Sequence, residues 1–220
     1  MRNFLLFTLV ILSTCLFAQK QEKGSLPLEL EFSPLGNTPL KISGLKGRYF
    51  LSEKGALRLN LFLGGSSETT STEITNNAGN DVTLKDVNSS FDFSIRPGYE
   101  FHLKGTERLS PYVGAEALFG INSTSVIDED LDFITDEVNK TTTSTGTISL
   151  GLNLVSGCDY YFAKKFYVGV ELGFGFTAAL PPSTTVIDAS NNTNTNVGST
   201  SSFDWGPNYI ATIRIGYCLK

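Results

Sequence analysis

The chain has 220 residues, enough for one domain, and its net charge of −5 excludes the strongly basic surface that a nucleic-acid partner requires. Hydrophobic residues make up 40% of it, yet no internal apolar run is long enough to cross a bilayer as a helix. The 16 Phe, 8 Tyr and 21 Gly favour strands over helices, because rings pack on a pleated sheet and glycine costs helix stability.

The first eighteen positions read as an export signal. Arg2 supplies a positive start, an apolar stretch runs from Phe4 to Ile11 and resumes at Leu16-Phe17, and Ala18 is a small residue at which cleavage can fall. The division is therefore a signal peptide over 1–18 and one β-barrel domain over 19–220. Leu12-Ser13-Thr14-Cys15 offers a second reading as a lipidation site, but Thr14 stands where Gly, Ala or Ser is usual and the apolar run continues past Cys15. Export permits disulfides, and Cys158 and Cys218 remain after cleavage.

From there the chain alternates apolar and polar or small residues with a period of two, segment after segment. The first segment sets Leu28, Leu30 and Phe32 against Glu29 and Glu31. The second, from Ile42 to Phe50, is the least regular and carries Lys46 and Arg48. In the third, Leu57, Leu59, Leu61 and Leu63 alternate with Arg58, Asn60, Phe62 and Gly64. The fourth, Phe91 to Lys104, is the cleanest: odd positions are apolar, while Asp92, Arg96, Glu100 and His102 occupy even ones. A helix would mix the two sets around its surface, whereas a strand separates them onto opposite faces. The fifth sets Val113, Ala115, Ala117, Phe119 and Ile121 against Gly114, Glu116 and Gly120. The sixth sets Ile148, Leu150, Leu152 and Leu154 against Ser149, Gly151, Asn153 and Val155. The seventh runs from Phe166 to Phe176 with Glu171 on its polar face, and the eighth from Tyr209 to Tyr217 with Arg214 on its polar face.

The connections sort by length. Ser52–Gly55, Gly105–Arg108 and Ala163–Lys165 are tight turns. The links expected over Ser66–Ser89, Ser123–Thr145 and Ala179–Asn208 are long and rich in Ser, Thr, Asn and Asp, and Ser33–Lys41 is intermediate. Short and long links alternate, so the long ones gather at one end. That is the layout of an outer-membrane barrel with short periplasmic turns and long external loops.

The two faces differ in kind. One is bulky and apolar. The other carries the acids Glu29, Glu31, Asp92, Glu100, Glu116 and Glu171, the bases Lys46, Arg48, Arg58, Arg96 and Arg214, and glycines such as Gly98, Gly151, Gly169 and Gly216. Eight strands enclose room only for side chains, so the small and charged face belongs inside and the bulky face against lipid. Tyr49, Tyr99, Phe101, Tyr160, Phe162, Phe166 and Tyr217 fall on the apolar face near the tight turns, as an interfacial aromatic girdle would.

Leader, eight alternating segments, tight turns and closing aromatic strand resemble the small outer-membrane barrels of the OmpA and OmpX type. Gly47-Arg48-Tyr49-Phe50 followed by Ala56-Leu57-Arg58-Leu59 is similar to a hairpin common in that class. Ile215-Gly216-Tyr217-Cys218-Leu219-Lys220 is similar to the terminal signal read by the barrel assembly machinery, though it lacks a final aromatic residue. The resemblance implies an all-β, eight-stranded antiparallel up-and-down transmembrane barrel, surrounded by outer-membrane lipid, assembled by that machinery and monomeric.

The near balance of inward acids and bases points to a mutual ion-pair network. No catalytic, cofactor or metal site emerges. His102, the one histidine, is placed inward beside a tight turn, and neither a Ser-His-acid arrangement nor a Gly-x-Ser-x-Gly elbow is assembled around it. Cys158 and Cys218 fall on opposite faces of strands that are not neighbours, which excludes a bond between them. The acids Asp128, Glu129, Asp130, Asp132, Asp136 and Glu137 do not follow the EF-hand order and read as a solvated loop. Three functions stay open: a non-enzymatic structural or surface-interaction barrel acting through its long loops on an unidentified extracellular ligand, a small gated pore, and a periplasmic lipocalin-like binder with the faces inverted.

Overall fold

A computed structural model describes residues 21–33, 41–180, 183–188, 193–197, 201–206 and 212–219. The expected leader with Cys15, positions 34–40 of the first link, Asn191-Asn192 and the start of the last segment at Tyr209–Ala211 lie outside the described residues.

The strands are β1 (Pro27–Ser33), β2 (Lys41–Ser52), β3 (Gly55–Thr75), β4 (Asp81–His102), β5 (Leu109–Asp132), β6 (Glu137–Tyr161), β7 (Phe166–Ala179), β8 (Ser183–Asp188), β9 (Thr193–Val197), β10 (Ser202–Gly206) and β11 (Thr212–Cys218). Every pairing is antiparallel. Strands β1 to β7 follow one another around a sheet, and β11 closes it by pairing with β7 on one side and β1 on the other. The result is an eight-stranded up-and-down barrel, whose closure removes the free edges of an open sheet.

Tight turns fix the antiparallel register at one end. Ser52 pairs with Gly55, Thr106 N–H donates to Leu109 O at 3.0 Å, and Ala163 and Phe166 exchange backbone bonds at 3.3 Å. Alternation then sorts the side chains. Along β3, Leu57 is 48% exposed and Leu63 71%, while the intervening Arg58 and Asn60 are buried. The same holds on β6 and β7, where Leu154 and Leu172 face out and Asn153 and Glu171 face in. Apolar side chains therefore cover the outside of the wall, the arrangement lipid requires. Tyr49, Tyr99, Phe101, Tyr160, Phe162, Phe166 and Tyr217 all lie on it near the tight turns, and Phe166 packs against Tyr217 with ring centroids 4.8 Å apart.

Two of the three long loops expected from composition are corrected by the structure. Positions 66–89 and 123–145 continue the strands as hairpins, paired from Ser66↔Ser90 to Thr75↔Asp81 and from Ser123↔Gly146 to Asp132↔Glu137. Along upper β3 water wets both faces and elsewhere in these upper halves only Leu84 and Leu131 are buried among the described residues, so the period-two contrast that marks a half-buried strand is weak. The pairing is carried instead by backbone ladders and hydroxyl pairs such as Ser66–Ser90 at 2.9 Å and Ser67–Ser89 at 3.0 Å. Within the third long link, β8 pairs with upper β6, β9 pairs with β8, and β10 lies against the top of β7.

The wall is consequently uneven. Among the described residues, strands β3 to β6 have 21, 22, 24 and 25 residues and β1, β2, β7 and β11 have 7, 12, 14 and 7. About ten residues cross a bilayer, so the tall strands project roughly 35 Å beyond it at the rise of an extended chain. The two tall hairpins are tied together: Asn77 N–H donates to Asp136 Oδ1 at 3.2 Å, the Asn77 amide donates to Phe133 O, and Lys85 N–H donates to Glu129 at 2.9 Å.

Candidate functional site

The lumen holds the chemistry-bearing residues. Inward positions on each strand converge because the barrel is narrow, and glycines make the room. At Gly216 the Tyr167 ring occupies the space a Cβ would need, and at Gly169 the Asp159 carboxylate and Arg214 guanidinium do the same.

Lowest, at the tight-turn end, Phe50, Tyr112, Tyr161 and Tyr167 are buried and form an aromatic floor. Arg48 stacks on it, its guanidinium carbon 5.2 Å from the Tyr167 centroid and 5.8 Å from that of Tyr112. Cation–π contact of this kind holds a buried guanidinium where water cannot solvate it.

An ion-pair network lies above. Arg48 bonds Glu29 through Nε, Glu100 at 3.0 Å and Asp159 at 2.8 Å. Arg214 reaches Glu29 at 2.9 Å and Asp159 at 2.8 Å. Arg58 meets Glu100 at 3.0 Å, Glu116 at 2.9 Å and Glu171 at 2.8 Å. Lys46 bridges Glu31 at 2.8 Å and Glu171 at 3.0 Å. Neutral donors supply the remaining carboxylate bonds: Asn60 to Glu31, Tyr112 to Glu171, and Asn153 to Glu116 at 3.4 Å. Each ion withdrawn from water costs several kcal/mol by the usual magnitude, so only a network this densely paired is tolerated.

The structure thus brings Glu29, Glu31, Lys46, Arg48, Arg58, Glu100, Glu116, Glu171 and Arg214 into one connected cluster. Arg96 borders it from above, 3.8 Å from Glu116 and with its side chain 15% exposed. Asp92 stands higher and apart, accepting from the Asn122 amide at 2.6 Å. Asp159 is a member that sequence reasoning passed over. The alternation read for the sixth segment ends at Val155; carried four residues further, it puts Asp159 on the lumen face between the outward Cys158 and Tyr160. The alternation of the fifth and seventh segments already sets Tyr112 and Tyr167 on the lumen face; Tyr161, like Asp159, lies past the end of the sixth reading.

One expectation fails. His102 does lie between a hydroxyl and an acid: its Nδ1 is hydrogen-bonded to Ser110 Oγ at 3.0 Å, and its Nε2, without a hydrogen bond, is 3.3 Å from Glu100 Oε2. The turn after β4 folds β5 back so that His102 pairs with Tyr112, and this brings Ser110 onto the same lumen face eight residues on. No sequence spacing predicts that meeting; the register does.

Neither Cys158 nor Cys218 is in a disulfide; the Cys218 thiol, turned inward, donates to Gln21 Oε1 at 2.9 Å. Among the described residues no group of three or more His, Cys, Asp or Glu side chains could hold a metal ion. The acids at the tip of the β5–β6 hairpin serve the turn: Asp132 accepts from Ile134 N–H at 2.8 Å and Thr135 Oγ1 at 2.9 Å. These bonds, the Ile134 amide foremost, hold the Asp132 carboxyl below the usual aspartate range.

Residues 32–177 match the family described as "Putative OmpA-OmpF-like porin family". Among solved structures, the crystal structure of CarO from Acinetobacter baumannii is similar at 11% identity and a TM-score of 0.39, covering 91% of this chain and 98% of that one. No curated protein matches the chain.

Proposed function

Because the chain belongs to the OmpA-OmpF-like porin family, we propose that it is exported to a Gram-negative outer membrane, inserted there by the barrel assembly machinery, and works as a monomeric, ion-locked scaffold that holds an interaction surface clear of the lipid. The carrying observation is the height of one side of the wall: four adjacent strands rise as cross-tied hairpins far beyond the length a membrane needs. Rigid scaffolds presenting polar segments in this way are built for recognition. Excising 68–87 leaves the Ser66–Ser90 pair at the head of a shortened hairpin, closed by the three residues Ser67, Asn88 and Ser89. The shortened chain should still migrate as a heat-modifiable band on semi-native gels, while adhesion of expressing cells to one another and to surfaces drops to that of a non-expressing strain. Undiminished adhesion sinks the reading.

A gated pore is the second reading, favoured by the half-open upper lumen at Arg96 and Asp92. It requires conductance steps in planar bilayers that change size in Arg96→Gln; a silent wild-type barrel rejects it. A lipocalin-like binder would need its apolar side chains inside, and here they cover the outside.

A further inference from the structure

We propose that Ser110, His102 and Glu100 form a nucleophilic site that cleaves small carboxylic esters in a pocket at the tight-turn end of the barrel. Three observations meet there. The first is the close succession of a hydroxyl, an imidazole and a carboxylate: Ser110 Oγ is hydrogen-bonded to His102 Nδ1 at 3.0 Å, and the buried His102 Nε2, which makes no hydrogen bond, lies 3.3 Å from Glu100 Oε2. The second is a cavity of about 410 Å³ with both Ser110 and His102 in its wall, completed by Gln21, Glu53, Lys54 and Lys104. The third is the rigidity of the base: the imidazole is held between Phe50 and Tyr112, with ring centroids 4.9 Å and 5.3 Å away.

The network behind the histidine biases its tautomer. Glu100 is flanked by Arg48 and Arg58 at 3.0 Å each, which keeps it an anion, and an anionic carboxylate only accepts hydrogen bonds. The nearby carboxylate charge, 3.3 Å from Nε2, favours the ring proton on that nitrogen. Nδ1 is left with its lone pair facing Ser110, the direction a general base needs. This is the acid–imidazole–hydroxyl order of serine hydrolases, run through the opposite ring nitrogens. Glu100 is the positioning residue, because it acts through the imidazole and does not reach the pocket.

The step balances without any co-reactant but water. Ser110 Oγ attacks the ester carbonyl carbon as its proton moves to His102 Nδ1. The tetrahedral oxyanion lies in a pocket whose wall includes Lys54 and Lys104. As the C–O bond breaks, the alcohol leaves with the proton from Nδ1. Water, deprotonated by the same nitrogen, then attacks the acyl-serine, releases the carboxylic acid and restores Ser110. Occupancy is limited to small, polar acyl esters by the cavity volume and by its mixed charged wall.

The test uses the purified full chain, folded in detergent and shown to be heat-modifiable. It is incubated with a fluorophosphonate, which phosphonylates an activated serine and expels fluoride, and separately with p-nitrophenyl acetate. The expected result is one phosphonyl adduct, mapped to Ser110 by mass spectrometry. Ester hydrolysis should fall about a hundredfold or more in Ser110→Ala and His102→Gln, the range general-base loss gives. Glu100→Gln should lower kcat and displace the pH–rate profile, which a purely structural role would not do. Wild-type barrel that stays unlabelled, or is labelled elsewhere, overturns the proposal without any variant having to fold. Hydrolysis unchanged in a heat-modifiable Ser110→Ala barrel overturns it as well.

Discussion

Arg58 and Glu171 meet across the full width of the lumen. They stand on β3 and β7, four places apart in a ring of eight, and are joined by two parallel bonds, Nη1 to Oε2 at 3.0 Å and Nη2 to Oε1 at 2.8 Å. A guanidinium and a carboxylate held in this fork act as a strut between opposite walls, with direction as well as attraction.

Cutting the strut tests what holds the barrel closed. Arg58→Ala strips one cation from Glu100, Glu116 and Glu171 at once, and removing one side of a buried pair costs about 3–5 kcal/mol. The temperature at which the folded band is lost on semi-native gels should fall by many degrees, while Arg58→Lys, which keeps charge but not the fork, should fall between the two.

Asp159 offers a second check, on a residue the alternation only just reaches. It joins Arg48 and Arg214, each at 2.8 Å, so Asp159→Asn should destabilise the barrel as much as Glu29→Gln, again by about 3–5 kcal/mol in urea unfolding from detergent. A loss below about 1 kcal/mol would show that Glu29 alone satisfies both guanidiniums.

Space inside is as constrained as charge. Gly216→Val would drive a side chain into the Tyr167 ring, so no heat-modifiable band should form. Ala117→Val, on the lipid face of β5, should change stability by no more than about 0.5 kcal/mol. Equal behaviour of the two would contradict the assignment of inside and outside.

The hairpin tips should respond to acid. Since the folded Asp132 carboxyl is held below the usual aspartate range, its contribution is present above the unfolded value and lost as pH falls through the lowered one. The protection of the Ile134 amide, taken as exchange rate relative to the free-peptide rate at each pH, should therefore fall only in strong acid, and Asp132→Asn should make it low and flat with pH.

The barrel was legible in the sequence wherever one face meets lipid and the other the lumen, because that difference writes a period of two into residues such as Phe91–Lys104. It stopped being legible above the membrane. Thr69 and Thr70 lie on the two faces of β3 and both meet water, so nothing distinguishes strand from loop there. Inside, charge marked the lumen residues but not their partners. That Arg48 finds Asp159 and that His102 finds Ser110 depends on register and diameter, which no local pattern carries.

The ring also has a zipper with unequal teeth. Neighbouring strands β5 and β6 are laced along Leu109–Asp132 and Glu137–Tyr160, but the first and last strands share only the stretch Pro27–Phe32 against Ile213–Cys218. Among the described residues that seam is laced no further than its neighbours β1–β2 and β7–β11, and it joins the first strand to the last. Arg214 on β11 reaches over it to Glu29 on β1 at 2.9 Å, a buckle fastened from within. A barrel that has lost its inner charges should thus part first among the short strands β1, β2, β7 and β11, opening with its tall hairpins still paired.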